Sequence, residues 1–137
     1  MKIEIYTDGA CSNNGKKNAK AGIGIYFSNI NIDPISQRVP IDMDQTNNVA
    51  ELLAIKIAIE TIIKHNLKNN EIIIYTDSQY SINVITNCWK AKVNIGLINE
   101  IKQLLKILDC VRLIYIPGHK DNKGNNIADE LARKSIN

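Results

Sequence analysis

Apolar and polar side chains along the chain follow two periods, and the change of period separates strands from helices. The first eight residues alternate, which predicts a strand that ends in a turn at Asp8 and Gly9. The apolar run 21–27 predicts a second strand. Residues 32–39 predict a third, and two prolines, one within it and one after it, place it at a sheet edge.

Residues 47–65 are too many for a strand and are rich in helix-forming side chains, so they predict the main helix. Lys56, Glu60 and Lys64 recur every four residues and mark its solvent face. The apolar positions that remain for the core are Leu52, Leu53, Ile55, Ile59, Ile62 and Ile63.

Helices and strands alternate in the second half of the chain. The nearly continuous apolar run 71–76 is typical of a parallel strand covered on both faces. Helices are predicted over 78–85 and 96–108, a strand over 111–116, and a last helix from 124 or 125. This order predicts one α/β domain over 1–137, with a five-stranded mixed sheet flanked by helices. The first three strands are expected to be antiparallel and the last two to join them in parallel.

The bulk composition narrows the class of protein. A chain of 137 residues with 45% hydrophobic content can bury a core as one domain. No apolar run approaches the roughly 18 residues of a membrane span, so no membrane attachment is expected. A monomer is expected because the sequence has no heptad pattern that demands a partner. Three scattered cysteines, Cys11, Cys88 and Cys110, favour a reducing, cytoplasmic compartment. A net charge of +3 is only weak support for binding to an anionic partner.

Two aspartates follow predicted strands. Asp77 comes directly after the strand 71–76, and ligands bind at the carboxyl ends of strands in parallel α/β sheets. It is also suited to cap the helix that begins at Ser78. Asp8 ends the first strand, and the glycine after it fits a simple turn as well.

Two further acids lie on predicted helices. Glu51 faces away from the charged stripe of its helix, and an inward-facing glutamate needs a partner or a cation. The alternative is a capping box with Asn48. Asp129 lies near the start of the last helix, where the helix dipole favours an acid whatever its function. As a set, four clustered acids repel one another unless cations neutralise them, and oxygen ligands favour Mg²⁺ or Mn²⁺ over zinc.

Four blocks of sequence around these acids resemble type 1 ribonucleases H, enzymes that cut the RNA strand of RNA/DNA hybrids. The blocks are Tyr-Thr-Asp-Gly-Ala-Cys-Ser-Asn-Asn at 6–14, Thr-Asn-Asn-Val-Ala-Glu-Leu-Leu at 46–53, Tyr-Thr-Asp-Ser-Gln-Tyr at 75–80, and Gly-His at 118–119 followed by Asn125 and Ala-Asp-Glu-Leu-Ala at 128–132. They occur in the order of the family and span nearly the whole chain. The resemblance implies a ribonuclease H-like fold and an endonuclease that leaves 5′-phosphate and 3′-hydroxyl ends.

The resemblance also implies a set of site residues. Two Mg²⁺ ions, for which Mn²⁺ can substitute, would be held by Asp8 as the bridging ligand, by Glu51 and Asp77 on one ion, and by Asp129 on the other. The residues implied in substrate binding are Asn14, Thr46, Asn47, Asn48, Gln79 and Asn94. Thr46 and Asn94 resemble residues that form a pocket for a phosphate of the DNA strand in the family. A role in turns or helix caps is the alternative for the asparagines.

The chain departs from the family at two places. His119 resembles a histidine that assists proton transfer or product release, but Lys120 and Asp121 replace the small residues expected after it. Only residues 87–93 separate two predicted helices at the place where many relatives carry a basic protrusion. Weaker binding of the hybrid is therefore expected. The lysines that are expected to compensate in part are Lys16, Lys17, Lys20, Lys90 and Lys92.

Three other functions compete with this interpretation. They are a nuclease of the same fold that acts on DNA, a hybrid-binding domain that has lost activity, and a domain that binds a small phosphorylated ligand through Mg²⁺. Degenerate domains usually lose acids, whereas all four are present here. A glycine-rich phosphate loop is absent from the sequence, which counts against the third alternative.

Overall fold

The computed structural model describes residues 1–86, 90–118 and 121–137. Its elements, in chain order, are β1 (Lys2–Ser12), β2 (Lys20–Phe27), β3 (Ile35–Arg38), α1 (Asn47–Lys64), β4 (Glu71–Thr76), α2 (Gln79–Thr86), α3 (Ile95–Leu105), β5 (Cys110–Tyr115) and α4 (Lys123–Ser135). This order of strands and helices confirms the predicted one. Within the described ranges, none of the helices combines the length and the hydrophobicity needed to span a bilayer.

The strands form one five-stranded sheet in the order β3-β2-β1-β4-β5. β2 pairs antiparallel with β1 and β3, whereas β4 pairs parallel with β1 and β5. The predicted mixed sheet and the predicted edge position of β3 are therefore confirmed. Because β1 and β4 are parallel neighbours in the centre, the middle of β1 lies beside the carboxyl end of β4.

α1 and α4 hold the sheet from its two faces. α1 packs on β1 and β2, and α4 packs on β1, β2 and β3. The face of α1 toward the sheet buries the predicted positions Leu52, Leu53, Ile55, Ile59 and Ile62. Ile63 is only half-buried, which corrects the prediction for that position. Burial of these side chains removes the apolar surface that drives folding of the domain.

The main boundary error concerns β1, which does not end at Asp8 and Gly9. Its parallel pairing with β4 stops at Thr7, opposite Thr76, but its antiparallel pairing with β2 continues to Ser12, opposite Lys20. The predicted turn is therefore wrong, because β2 still pairs with β1 after the pairing with β4 has ended.

The remaining boundaries move by a few residues. β3 covers Ile35–Arg38 instead of 32–39, because only these four residues pair with β2. α3 ends at Leu105, three residues before the predicted 108, because the N–H groups of Lys106 and Ile107 donate to carbonyls three residues back. Between α2 and α3 the structure describes residues 90–94, which contain neither helix nor strand.

Candidate active site

Asp8 lies inside β1, at the point where the two central strands part. Thr7 pairs with Thr76, so the next residues along the two chains, Asp8 and Asp77, are neighbours at the point where the parallel pairing ends. Asp8 is only 3% exposed and Asp77 is half-buried. The two aspartates that sequence analysis placed at strand ends are therefore brought together by the sheet register.

Gly9 brings α1 close to β1. A Cβ atom at this position would lie 2.5 Å from the backbone nitrogen of Glu51 and 2.8 Å from the Cβ of Ala50. Only a glycine permits such a close approach of a helix to a strand. The backbone N–H of Gly9 donates a hydrogen bond to Glu51, whose side chain is buried beside Asp8 and Asp77.

Gly24 brings α4 close to the sheet in the same way. It lies opposite Asp8 in the pairing of β1 with β2, and a Cβ atom there would collide with the backbone of Ala128 and Ala132. α4 therefore lies directly against the sheet next to Asp8. Asp129 is held in hydrogen-bond contact with Asp8 as a result.

The four acids thus meet around Asp8. One carboxylate oxygen each of Asp8, Glu51 and Asp77 lie within 4.8 Å of one another. Asp129 contacts Asp8 from α4 and also pairs with Arg133, whose Nη2 lies 3.0 Å from Oδ2 of Asp129. This arrangement has three acids in one group and the fourth on the far side of Asp8.

Burial and like charge raise the pKa values of the two innermost acids. Burial first, and then the charges of Asp77 and Asp129, raise the pKa of Asp8 to about 9. Burial, followed by the charges of Asp8 and Asp77, raises the pKa of Glu51 well above its ordinary value, against the hydrogen bond from Gly9. The cluster is therefore costly in its fully ionised form, and a bound cation would relieve that cost.

The donor set fits a divalent metal ion. The cluster offers only carboxylate oxygens, the ligands that Mg²⁺ and Mn²⁺ prefer. Oε1 of Glu51 is fully buried and has no hydrogen-bond partner among the described residues. A buried acceptor without a donor is expensive, and a cation or a water bound to it would satisfy the oxygen.

Other residues supply the helix caps that sequence analysis considered for the acids. Thr46 caps α1 by accepting the N–H of Val49 at 3.1 Å, so the capping box of Asn48 and Glu51 is wrong. Ser78 accepts the N–H of Ser81 at 3.1 Å and caps α2, so Asp77 is not the cap of this helix.

The position of Asp129 also differs from the expectation. It lies in the middle of α4 and not in its first turn, so the helix dipole does not explain it. Asn122 is the residue that caps this helix, because its side chain accepts the N–H of Asn125 at 2.9 Å.

Five of the six residues implied in substrate binding line one surface groove beside α1. They are Asn14, Thr46, Asn47, Asn48 and Asn94, and Oδ1 of Asn14 accepts the N–H of Asn47 at 3.1 Å. Asn94 also donates from Nδ2 to Oη of Tyr80 at 3.2 Å. Gln79 does not line this groove. It is the exposed first residue of α2, two positions after Asp77.

Three further residues of this region received no role of their own from the sequence, although Gly118 and Asn125 belong to the fourth block. Asp44 lines the groove beside Thr46, and no sequence pattern marks it. Gly118 approaches Asp77 so closely that an added Cβ would lie 2.8 Å from Oδ2. Asn125 is 3% exposed, and its Oδ1 has no partner among the described residues. Its spacing of four residues before Asp129 is a signal that was available, because such residues share a helix face. His119 lies outside the described residues.

Comparisons with known proteins agree with this geometry. A family model described as RNase H matches residues 1–137. Ribonuclease H1 of Mus musculus is 36% identical over 146 residues, which cover 96% of this chain but 49% of that protein. The chain thus spans about half the length of the mammalian relatives it matches. Ribonuclease H of Chlorobium phaeobacteroides is 37% identical over 149 residues, which cover 98% of this chain and 95% of that protein.

A solved structure gives the same result at the level of the fold. LC11-RNase H1 in complex with an RNA/DNA hybrid has a TM-score of 0.76 to this chain and 25% identity, over 98% of this chain and 96% of that one. The family model covers all the residues that supply the four acids and the groove. The chain belongs to the RNase H family.

Proposed function

We propose that this protein is a monomeric endonuclease that hydrolyses the RNA strand of RNA/DNA hybrids with the help of two divalent metal ions, Mg²⁺ for preference. The observation that carries the proposal is the convergence of Asp8, Glu51 and Asp77 within 4.8 Å, with Asp129 in contact with Asp8. Membership of the RNase H family supports the reaction type. The RNA/DNA hybrid bound to LC11-RNase H1 supports the substrate.

Each acid has a proposed role that follows from its place in the cluster. Asp8 is central and contacts acids on both sides, so it is the ligand that both ions would share. Glu51 and Asp77 would complete one position, and Asp129 the other. When bound, a pair of such ions activates the attacking water and stabilises the departing oxygen. The water oxygen bonds to phosphorus while the bond from phosphorus to O3′ breaks, which leaves 5′-phosphate and 3′-hydroxyl ends.

The groove beside α1 is the proposed contact surface for the strands of the hybrid. Its amide side chains can donate to and accept from sugar and phosphate groups, and the 2′-hydroxyl is the group that distinguishes RNA from DNA. We propose that Thr46 and Asn94 contact a phosphate of the DNA strand. Asp44 lines the same groove and its charge opposes a phosphate there, so this contact is expected to be weak.

A second groove extends this surface at the place where many relatives carry a basic protrusion. It lies between α2 and α3 and is lined by Val84, Lys90, Ala91, Ile95, Ile98, Asn99 and Lys102. No acid lines it among the described residues, and its lining residue Ile95 follows directly on Val93 and Asn94 of the first groove. We propose that Lys90 and Lys102 contact backbone phosphates of the hybrid and supply part of the binding energy.

His119 keeps the role implied by the family resemblance. We propose that it assists proton transfer or product release near Asp77, because its chain neighbour Gly118 packs against Oδ2 of Asp77. An imidazole titrates in the range that this work requires.

The proposal is tested by incubating the protein with a labelled RNA/DNA hybrid, duplex RNA, single-stranded RNA and duplex DNA, in Mg²⁺, in Mn²⁺ and in EDTA. We expect metal-dependent cutting of the hybrid alone. Asp77→Asn should abolish cutting while circular dichroism shows an intact fold, whereas Asp33→Asn, a change at an exposed acid on the loop before β3, should cut normally. Absence of hybrid cleavage in both metals would overturn the proposal, and equal cleavage of duplex DNA would favour a DNA nuclease.

A further inference from the structure

Arg133 lies one helical turn after Asp129 on α4 and holds its carboxylate with two donors. Nε donates to Oδ2 of Asp129 at 3.0 Å, and Nη2 lies 3.0 Å from the same oxygen. Because both contacts go to Oδ2, they leave Oδ1 free of the guanidinium. The orientation of the carboxylate is therefore set from one side.

This pair is the one ion pair that involves any of the four clustered acids in the described part of the chain. The other ion pairs there join Lys56 to Glu100 and Arg112 to Glu71. Among the described residues, Arg133 is thus the cation that pairs with the acidic cluster. A guanidinium stays charged at every pH at which the protein is folded, so this cation is permanent.

Stability does not explain the pair. The side chain of Arg133 is 64% exposed and that of Asp129 is 43% exposed, and exposed pairs at a spacing of four residues contribute little to folding. The contact instead affects the acidic cluster around Asp8. The guanidinium contacts Oδ2 of Asp129 while the same carboxylate contacts Asp8, and the positive charge offsets part of the repulsion among the acids.

The same charge acts against a second cation. A fixed unit charge a few ångströms from a divalent ion in a water-exposed site changes the affinity for that ion by roughly tenfold. Arg133 therefore favours a correctly oriented Asp129 but weakens the attraction of the cluster for metal on the Asp129 side.

We propose that Arg133 is a positioning residue for the reaction proposed above: it orients Asp129 through Oδ2 and lowers the affinity of the acidic cluster for divalent metal ions. This inference rests on the proposed function, because it assigns a positioning residue to the same metal site. It predicts that the cluster binds divalent metal more weakly with Arg133 than without it, while the carboxylate of Asp129 is better oriented.

The experiment compares Arg133→Gln and Arg133→Lys with a matched control, Arg112→Gln. Arg112 pairs with Glu71 at the opposite end of β4, and the two side chains are 58% and 42% exposed, so the control removes the same charge from an equally exposed pair. Mg²⁺ and Mn²⁺ binding is measured by titration calorimetry without substrate, and kcat and KM are measured on the labelled hybrid. Thermal unfolding in EDTA checks that every variant is folded.

Arg133→Gln should bind metal about five- to tenfold more tightly than the wild type and should lose about tenfold in kcat with little change in KM. Arg133→Lys should keep the wild-type metal affinity, because it keeps the charge, but should lose part of kcat, because one ammonium cannot replace two donors in a fixed fork. Arg112→Gln should match the wild type in both measurements.

Several results would overturn the inference. Equal metal affinity in Arg133→Gln and Arg112→Gln, weaker binding in Arg133→Gln, or a lysine variant as tight as the glutamine variant would each remove the role of the charge. An unchanged kcat in Arg133→Gln would remove the role in positioning. If the wild type binds metal and cuts the hybrid, these failures concern Arg133 alone. If the wild type does neither, the proposed function fails and this inference fails with it.

Discussion

Gly24 lies directly opposite Asp8 in the antiparallel pairing of β1 with β2. A residue without chemistry of its own therefore decides how close α4 comes to the central acid, because any Cβ at position 24 would meet the backbone of Ala128 and Ala132. Asp129 reaches Asp8 only because this glycine lets the helix lie against the sheet.

Gly24→Ala is the first prediction. The added Cβ meets helix backbone, which cannot rotate away, so α4 must move outward. We expect the free energy of unfolding to fall by about 2–3 kcal/mol, the usual size of overpacking in a well-packed core. The affinity for Mg²⁺ should also fall, since Asp129 moves away from Asp8. Urea unfolding and titration calorimetry measure the two effects.

Gly96→Ala is the matched control for this substitution. Gly96 lies in the first turn of α3, and no described residue has an atom within 4 Å of a Cβ built there. Alanine is the better helix former, so this variant should be unchanged or more stable by up to about 1 kcal/mol. A Gly24→Ala variant as stable as Gly96→Ala would contradict the close packing of α4.

The pH dependence of stability is the second prediction. Burial and neighbouring charges raise the pKa of Asp8 from 3.8 to about 9, and they also raise the pKa of Glu51. In the unfolded chain both carboxyls lose their protons near pH 4. Between pH 4 and pH 9 the folded state therefore binds more protons than the unfolded state, and the free energy of unfolding falls as the pH rises.

Urea unfolding in EDTA at pH 5 and at pH 8 tests this sign. The metal-free protein should be more stable at pH 5 than at pH 8, and a saturating concentration of Mg²⁺ should reduce the difference. Asp8→Asn removes the central charge and should raise the stability at pH 8 by about 1 kcal/mol, a typical gain from a single favourable substitution. Greater stability of the metal-free wild type at pH 8 than at pH 5 would show that the acids are not crowded in the way described.

The basic groove between α2 and α3 gives the third prediction. Lys90 and Lys102 line it and none of the described residues that line it is an acid, so the double variant Lys90→Gln/Lys102→Gln should bind the RNA/DNA hybrid more weakly. Each phosphate contact contributes close to one unit to the slope of log affinity against log salt, so the slope should decrease by about 2 in magnitude. Fluorescence anisotropy in EDTA at several salt concentrations measures binding without cleavage.

Lys64→Gln/Lys68→Gln serves as the control with the same change of charge. These exposed lysines lie at the C-terminal end of α1 and just beyond it, whereas Glu51 and the acids lie near its N-terminal end. The control should keep the wild-type affinity and salt slope. If both double variants lose affinity equally, then net charge explains the effect and the groove has no specific role.

Features that depend on neighbouring residues could be predicted from the sequence. The period of α1 and the apolar run of β4 record which side chains meet the core, and both elements match their predictions within one residue. The spacing of Asp129 and Arg133 is likewise visible in the sequence, because residues four apart meet on a helix. The ends of elements were less predictable, since β1 continues past Gly9 only because β2 is there to pair with it.

The sequence alone determined the mixed α/β fold, the family and the four acids, because these depend on local periodicity and on motifs that survive in linear order. Only the tertiary structure decided that Thr46 and Ser78, and not the acids, cap their helices. It also decided that Gly9 and Gly24 bring two helices against the strand that carries Asp8. The physical reason is that caps, close approaches and burial join residues far apart in the chain, and their energies depend on distances that no linear pattern records.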